Sequence, residues 1–238
     1  MGVQRALVAL LTGWIAAPAG AGAVYQPPKG CTLDMTVQIH SCQVANHFRC
    51  AADPVGDRWV SYADGKAEYF LSRIDSETRW IESFDLEDGA VDMLDTASSA
   101  DQASFSALLS TGRDDYDFVT LSNTGESRRY IGYDKLTGRV QTIDNVPLEQ
   151  TEFELRILDA EGKLIATRKG SQFINRDMRL FFSDRETFAN AQGDSASSFE
   201  APVTFAFPGD KGFGATKPEY DCDMMMTNMS PIPMQPTL

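Results

Sequence analysis

Basic residues are scarce in this chain of 238 residues: 21 Lys and Arg stand against 34 Asp and Glu, which gives a formal net charge of −13. This balance argues against binding to nucleic acid or to an anionic membrane surface, because nothing offsets the repulsion from phosphate groups. The charge suits solubility, and it is compatible with cationic partners or divalent ions.

Long hydrophobic runs are lacking as well, with one exception at the amino terminus. Residues 1–23 comprise a short basic start ending in Arg5, an apolar stretch interrupted by Gly and Pro, and the small-residue sequence AGAGA, which is typical of a cleavage site. A spanning helix would need roughly 20 mostly apolar residues without such interruptions. We therefore expect a secretory signal peptide over 1–23, a mature chain that begins at Val24 without a further transmembrane segment, and a periplasmic or secreted location.

Motifs that carry a known chemistry are missing from the sequence. There is no G-x-S-x-G nucleophile elbow, and GDKGFG over 209–214 leads to no helix, so it is not a phosphate-binding loop. Two acidic clusters, FDLEDG over 84–89 and RDDYD over 113–117, do not match a calcium-binding EF-hand loop, and we interpret them as solvated turns. A carboxylate-dependent hydrolase stays open as an alternative, and it predicts two facing acids whose pKa values are pushed apart.

The chain has four cysteines, an even number that favours disulfide bonds in the oxidising compartment implied by a signal peptide. Three pairings are possible. A Cys42–Cys50 bridge would close a short local loop, and a Cys31–Cys222 bridge would then tie the start of the fold to its end. We expect this pair of bridges.

Histidine is rarer still, and both copies lie in HSCQVANHFRC over 40–50. If the cysteines in this stretch are oxidised, the two histidines are too few for a closed metal site. The methionines after Cys222 would add thioether ligands, which suit Cu(I). Copper binding is therefore an alternative to a protein without a cofactor, and its candidate ligands are His40, His47, Met224, Met225 and Met226.

Short alternating runs separated by turns are what the chain has in abundance. Leu33, Met35, Val37 and Ile39 alternate with polar residues, as in a half-buried strand. From residue 58 onward, runs rich in Val, Ile, Tyr, Phe and Thr are followed by Gly-containing turns. The pattern predicts a mainly β fold, with a single antiparallel meander that forms a barrel or a two-layer sandwich and one or two short helices.

Two segments carry helix-like patterns. Ser98 precedes Ala and Leu residues at helical spacing, so we predict a helix that begins there. A second, shorter helix is predicted from Ser183, with Glu186 in the capping-box position, and residues 193–198, GDSASS, are predicted to form a loop.

The domain organisation follows from the absence of a strong repeat or linker. Residues 24–222 are expected to form a single β-rich domain, and residues 223–238 a flexible tail rich in Met and Pro. Aromatic residues populate the predicted hairpins; we expect core packing for most of them, although some would line a cavity inside a barrel. They are Trp59, Tyr62, Tyr69, Trp80, Phe84, Tyr116, Phe118, Tyr130 and Tyr133.

One stretch carries a resemblance. The run RRYIGYDKLTGRVQTIDNVPLEQTEFELRILDAEGKL over 128–164, following a signal peptide and a first strand that contains a cysteine, resembles uncharacterised exported proteins of Gram-negative bacteria. The resemblance covers the middle half of the chain. It implies a bacterial periplasmic setting, and it implies no activity and no functional residue.

The sequence thus leads to three hypotheses of different classes. We expect a non-enzymatic exported β protein that binds a small ligand or another envelope component, either a protein or a polymer. Copper binding and carboxylate-dependent hydrolysis are the alternatives. A ligand carrier requires a dry apolar cavity on the order of a few hundred Å³.

Overall fold

The structure, a computed structural model, describes residues 24–225, so the predicted signal peptide and most of the predicted tail lie outside the described residues. The thirteen strands in this part of the chain form one antiparallel sheet. The strands are β1 (Cys31–Ile39), β2 (Gln43–Cys50), β3 (Arg58–Ala63), β4 (Glu68–Ile74), β5 (Trp80–Asp85), β6 (Val91–Leu94), β7 (Arg113–Ser122), β8 (Ser127–Ile143), β9 (Val146–Leu158), β10 (Leu164–Asn175), β11 (Leu180–Asn190), β12 (Ser195–Phe199) and β13 (Pro202–Ala206). The helices are α1 (Phe105–Thr111) and the four-residue α2 (Cys222–Met225). The predicted mainly β meander is confirmed.

The two edges of the sheet belong to consecutive strands. β12 pairs with β11 at one edge, and β13 pairs with β1 at the other. Between them, the Glu200 N–H donates to the Asp184 carbonyl of β11, and the Ala201 carbonyl accepts from the His40 N–H that follows β1. The sheet therefore curls until its edges meet at residues 199–202, the seam, without closing, which fits an open barrel and a sandwich alike.

The main core lies between the two halves of the curled sheet. Val37 of β1 and Phe205 of β13 belong to the same buried cluster as Leu148 of β9 and Phe173 of β10. The Phe205 ring meets Phe182 of β11 edge to face, with ring centroids 5.3 Å apart. Because burial of each such side chain contributes about 1.5–3 kcal/mol, this contact between the halves holds the curl of the sheet.

The polar side of β1 and β2 is covered by the irregular segment 207–221 instead of facing solvent. Thr36 Oγ1 accepts from the Gly214 N–H at 2.8 Å, and Asn46 Nδ2 donates to the Ala215 carbonyl at 3.0 Å. The Gln38 amide both donates to the Lys217 carbonyl and accepts from the Glu219 N–H. These hydrogen bonds fix the path of the chain back to the β1–β2 turn.

Both disulfides form, but the predicted pairing is wrong. Cys31 is bonded to Cys50, and Cys42 to Cys222. Ser41 and Cys42, both with positive φ, lie in the turn between β1 and β2, so Cys42 and Cys50 stand at opposite ends of β2. That separation is about 27 Å at 3.4 Å per residue, far beyond the reach of a disulfide. Cys31 and Cys50 instead lie directly opposite each other in the hairpin.

The first predicted helix begins six residues later than expected. Ser104, not Ser98, is the N-cap of α1, and its Oγ accepts from the Ala107 N–H at 3.1 Å. The preceding residues run extended beside β7, where Asp101 forms a bridge with Asp117. This segment is extended and not helical because its backbone forms hydrogen bonds with β7.

The second predicted helix, from Ser183, is wrong, because these residues lie in β11. Inside the strand, Asp184 and Glu186 are buried and alternate with exposed Arg185. The predicted loop over 193–198 is wrong from Ser195 onward, since Ser195–Phe199 form β12.

Candidate ligand-binding site

A small aromatic cavity lies inside the sheet, between strands β5, β7, β8 and β9 and the segment that leads into α1. Its volume is ≈ 40 Å³, which is room for about three water molecules at most. Trp80, Phe118 and Phe153 form its walls, with the Trp80 and Phe118 rings edge to face at 5.5 Å. The cavity is smaller than a carrier of a whole ligand requires, and it suits the end group of one.

The rim of the cavity is partly exposed. Arg79, Leu94 and Gln102 line the cavity, and each retains partial solvent exposure. Arg79 is engaged at this rim, because its Nε donates to the Ala103 carbonyl at 3.2 Å and its Nη1 lies 3.7 Å from Asp75. These partly exposed residues are the solvent-facing side of the cavity.

Two aspartates stand on one wall, directly opposite each other in the β7–β8 ladder. Asp114 of β7 and Asp134 of β8 are register partners, and Asp134 lines the cavity. Directly opposed residues of an antiparallel pair have Cβ atoms about 5 Å apart. Tyr116, two residues after Asp114, lies on the same face and also lines the cavity.

A glycine makes this wall possible. Gly132 pairs with Tyr116, and a Cβ on Gly132 would lie 3.0 Å from Tyr116 Cε2 and 2.3 Å from the Glu154 carbonyl oxygen. A larger residue at this position would displace β9 and the Tyr116 ring together.

The environment shifts both carboxyl pKa values upward. Burial, together with a smaller contribution from the neighbouring Asp114, raises the pKa of Asp134 to about 8. Burial also raises the pKa of Asp114, to about 6; the Ser104 backbone N–H, which donates to Asp114 Oδ2 at 2.7 Å, opposes the shift. Asp134 is thus mostly protonated at neutral pH, whereas Asp114 is mostly ionised.

Two acceptors at the cavity lack a partner in the described part of the chain. The Asp134 carboxyl makes no hydrogen bond or ion pair with residues 24–225, and the residue keeps partial solvent exposure. Gln102 Oε1 is buried and likewise without a hydrogen-bond partner there. Burial of an unpaired polar atom costs roughly 1–3 kcal/mol, so Gln102 Oε1 requires a ligand or water as its partner. The partly exposed Asp134 carboxyl is open to a ligand or to solvent.

A clamp of hydrogen bonds holds the segment that covers the cavity. Glu77, in the β4–β5 connection, accepts from Ser104 Oγ at 2.9 Å and from Ser106 N and Oγ at 2.9 and 2.7 Å. Arg179 Nη2 donates to Glu77 Oε1 at 2.8 Å. Because Gln102 and Ala103 immediately precede Ser104, this clamp sets the position of the rim.

A second concave region, the seam cleft, lies where the sheet edges meet. It has a volume of ≈ 460 Å³, and its lining combines the apolar Ile143, Phe173, Phe199 and residues 201–203 with the polar Gln141, Gln150 and Asp184. His40 and Arg185 also line it: the His40 ring stacks on Phe199 at 4.5 Å, and the Arg185 guanidinium carbon lies 4.1 Å from the Phe199 ring centroid. The cleft shares no lining residue with the aromatic cavity.

The structure does not bring the predicted metal ligands His40 and His47 together. His40 follows β1 and lies 2.6 Å from Asp221 Oδ2 through Nδ1. His47 pairs with Met35, about 17 Å back along the hairpin at 3.4 Å per residue. Burial lowers the pKa of His47 to about 3. No group of three His, Cys, Asp or Glu side chains among the described residues is placed to hold a metal ion.

The predicted methionine ligands fall at the limit of the described chain. Met224 and Met225 are the last residues of α2, and Met226 lies outside the described residues. The copper hypothesis stays a prediction that nothing in the described site supports.

Sequence reasoning missed the acid pair. RDDYD was interpreted as a solvated turn, yet Asp114 is 8% exposed inside β7. Asp115 and Asp117 face outward, where they pair with Arg113 and Arg129. Asp114, Tyr116 and Phe118 occupy every second position of the strand and therefore share one face. This spacing was the available indication that one aspartate of the cluster points inward.

Comparison with known proteins adds no relative: neither the family models, nor the curated proteins, nor the solved structures yield a match to this chain. Among residues 24–225, no helix is long and apolar enough to cross a membrane. The two disulfides indicate an oxidising, extracytoplasmic compartment.

Proposed function

We propose that this protein is a non-enzymatic, extracytoplasmic binding protein that holds the positively charged end group of a small ligand, a primary ammonium, in the aromatic cavity. The observation that carries the proposal is the Asp134 carboxyl, which lines the aromatic cavity beside a second carboxyl on the neighbouring strand and has no hydrogen-bond or ion-pair partner in residues 24–225. We place the protein in the periplasm, in line with the resemblance to exported Gram-negative proteins.

A cation satisfies each feature of the cavity. It would stabilise the ionised form of Asp134, which burial and the neighbouring Asp114 disfavour, and so relieve the upward pKa shift of this carboxyl. The faces of Trp80 and the neighbouring rings attract cations by about 0.5–2 kcal/mol each. An overall charge of −13 also raises the local concentration of cations.

The size of the cavity limits the bound group. A volume of ≈ 40 Å³ admits an ammonium or methylammonium group and leaves the rest of the ligand to pass between Arg79 and Gln102. Among the residues that line the cavity, the Asp134 carboxyl and the free Gln102 Oε1 are acceptors for the N–H donors of an ammonium.

The hydrolase alternative receives partial support from the same pair, because pKa values of about 6 and about 8 are separated as acid–base chemistry requires. Asp114 and Asp134 are, however, neighbours on adjacent strands and share one wall. They do not flank a space in which a scissile bond and a water could lie. Binding is therefore the better-supported function.

The test is a titration of the mature, oxidised protein with methylammonium, monitored by the NMR shift of the Trp80 indole N–H. Methanol, of similar size and without charge, is the matched control ligand. The Trp59 indole N–H serves as the internal reference, because Trp59 does not line the cavity. Its indole N–H donates to Asp53 over a distance of 2.7 Å. We expect methylammonium to shift Trp80 and not Trp59, and methanol to shift neither.

The pH dependence sharpens the test. A cation binds the ionised carboxylate, whereas a primary amine stays protonated up to pH about 10. The apparent Kd should therefore fall about tenfold per pH unit between pH 6 and 8 and level off above pH 8. The Asp134→Asn substitution should abolish the Trp80 shift. The control is Asp115→Asn, which changes the residue after Asp114 on the opposite face of β7 and should leave the Trp80 shift unchanged.

Three results would contradict the proposal. Methanol could shift Trp80 as strongly as methylammonium does. Binding could strengthen towards acid pH, which would mean that the neutral acid donates to an uncharged ligand. The Asp134→Asn variant could retain the affinity of the wild type.

A further inference from the structure

A β-bulge in β11 turns two consecutive side chains toward the seam cleft. Ser183 and Arg185 pair with adjacent residues of β10, so Asp184 between them has no partner on that strand. Consecutive side chains of a regular strand point to opposite faces, yet Asp184 and Arg185 both line the cleft. Bulges re-aim side chains in this way and are frequent next to functional sites. The bulge therefore marks the cleft as a candidate for a second ligand site.

A glycine on the neighbouring strand accommodates the bulge. Gly170 of β10 pairs with Glu186, and a Cβ at this position would overlap the Arg185 carbonyl oxygen. Gly in the interior of a strand often marks such a close approach of another backbone. The contact of the two backbones holds the strand at Arg185, and with it the base of this side chain, at the edge of the cleft.

The charge of Arg185 is not compensated by a carboxylate of the described chain. Its guanidinium makes no hydrogen bond or ion pair with residues 24–225, and its carbon lies 4.1 Å from the Phe199 ring centroid. Asp184 is engaged elsewhere, because its Oδ2 accepts from Ser171 Oγ at 2.6 Å and from Gln150 Nε2 at 3.2 Å. Since the whole chain carries a net charge of −13, an anion needs such a local positive charge in order to bind.

The rest of the lining suits hydroxyl groups and an apolar ring face. Gln141 and Gln150 contribute amides, and Asp184 Oδ1 accepts no hydrogen bond from residues 24–225. Amides donate to and accept from hydroxyl groups, and carboxylates accept from them. Ile143 and Val203 add partly exposed apolar surface. The volume of ≈ 460 Å³ lies within the range of about 300–1,000 Å³ that is usual for small-molecule sites.

We propose that the seam cleft binds a uronic acid, a sugar that carries one carboxylate, either free or as a unit of a polymer. The Arg185 guanidinium binds the carboxylate, since its planar fork matches the two oxygens of that group. The hydroxyls of the sugar bind Asp184, Gln141 and Gln150, and its ring lies against Ile143. The site goes beyond the proposed function, because the cleft and the aromatic cavity are lined by different residues.

The test is a titration of the mature, oxidised protein with D-galacturonate at fixed pH and ionic strength, monitored by the NMR shifts of the histidine ring C–H groups. His40 lines the cleft and reports binding, whereas His47 lines neither the cleft nor the aromatic cavity and is the internal reference. D-Galactose, which has a hydroxymethyl group in place of the carboxylate, is the matched control ligand. We expect D-galacturonate to shift His40 and not His47, and D-galactose to bind at least about tenfold more weakly.

Substitution of Arg185 tests the role of the charge. Arg185→Gln should lower the affinity for D-galacturonate at least about tenfold, with an unchanged circular dichroism spectrum. The matched control is Arg156→Gln, which removes the same charge from an exposed position of β9 outside the cleft and should leave the affinity unchanged. The Trp80 indole N–H should not respond to D-galacturonate, so the two sites are tested separately.

A trisaccharide distinguishes the two sources of the ligand. Tighter binding of trigalacturonate than of the monosaccharide assigns the cleft to a unit of a polymer, and equal or weaker binding assigns it to the free sugar acid. An equal shift of His40 by D-galactose and D-galacturonate would overturn the inference. So would wild-type affinity in Arg185→Gln, or a His40 signal that does not move with D-galacturonate.

Discussion

Asp134 lowers the free energy of unfolding of the protein at neutral pH. Its pKa is about 8 in the folded state, against about 4 for an unperturbed aspartate. Between these values the folded state binds a proton that the unfolded state does not, so the free energy of unfolding falls as the pH rises from about 4 to about 8, and is level above that. Such a cost is common at binding sites, where function outweighs stability.

Asp134→Asn should therefore stabilise the protein in a pH-dependent manner. Asn preserves the shape of the protonated acid and removes its titration. With about 1.4 kcal/mol per pKa unit, we expect the gain in free energy of unfolding to grow by about 2–4 kcal/mol between pH 5 and pH 8. Urea unfolding at a series of pH values measures it.

Asp115→Asn is the matched control for this stability test. Asp115 is exposed on the opposite face, and the hydrogen bond from Arg113 lowers its pKa. A folded pKa below the unfolded value gives a contribution that is fully present above pH about 4, so this variant should differ from the wild type by a constant amount between pH 5 and 8. A constant difference for Asp134→Asn as well would mean that Asp134 is ionised in the folded protein.

The two-residue period of a β-strand explains why single residues of the site were hard to predict. Alternation alone places Asp114 on the side of Tyr116 and Phe118, but it does not say which side is the interior. Asp134 becomes a neighbour of Asp114 only through the β7–β8 register. Register depends on packing across the whole sheet, and a single strand does not contain that information.

The short helix α1 depends on contacts outside itself. It has seven residues, and isolated helices of that length are not stable in water. Phe105 and Leu108 are buried against Ile174, and Glu77 binds the first turn through Ser104 and Ser106. Although burial raises the pKa of Glu77, the hydrogen bonds from Ser106 and Ser104 and the charge of Arg179 lower it overall, so Glu77 is ionised at neutral pH.

Glu77→Gln should loosen α1 and the rim of the cavity. The amide keeps the size but loses the charge that accepts four hydrogen bonds, so we expect a loss of about 1–3 kcal/mol at pH 7. Hydrogen exchange of residues 105–111 should accelerate, because local opening becomes easier.

The control for this change is Glu87→Gln, since Glu87 lies exposed in the β5–β6 turn. It should alter neither the free energy of unfolding nor the exchange of α1. Equal effects of the two substitutions would show that the Glu77 clamp adds nothing beyond surface charge.

The elements themselves were predictable to different degrees. The strands and most turns follow from local alternation and from Gly, which is why the meander was predicted correctly. The start of α1 and the nature of β11 were not, because Ser98 and Ser183 carry cap-like patterns that tertiary pairing overrides. The segment before Ser104 gains backbone partners along β7, and β11 gains two neighbours, β10 and β12.

At the level of the whole molecule, the two disulfides constrain very different lengths of chain. Cys31–Cys50 spans 19 residues inside one hairpin, whereas Cys42–Cys222 spans 180 residues and joins the first turn to the last helix. The long bridge also holds the segment that covers the polar side of β1 and β2. The turn at Ser41 and Cys42 was not predicted from the sequence, so the pairing of Cys42 with Cys222 was not predicted either.

The loop lengths predict an order of stability for the two disulfide variants. In the chain-entropy model, a loop of 180 residues contributes about 5 kcal/mol and one of 19 residues about 3 kcal/mol. The double variant Cys42→Ala with Cys222→Ala should therefore lose more free energy of unfolding in urea than Cys31→Ala with Cys50→Ala. The long-bridge variant loses, in addition, the tether of the segment over Thr36, Gln38 and Asn46, so hydrogen exchange in β1 and β2 should rise more in it. The reverse order would show that the hairpin bridge, and not the long one, governs the curl of the sheet.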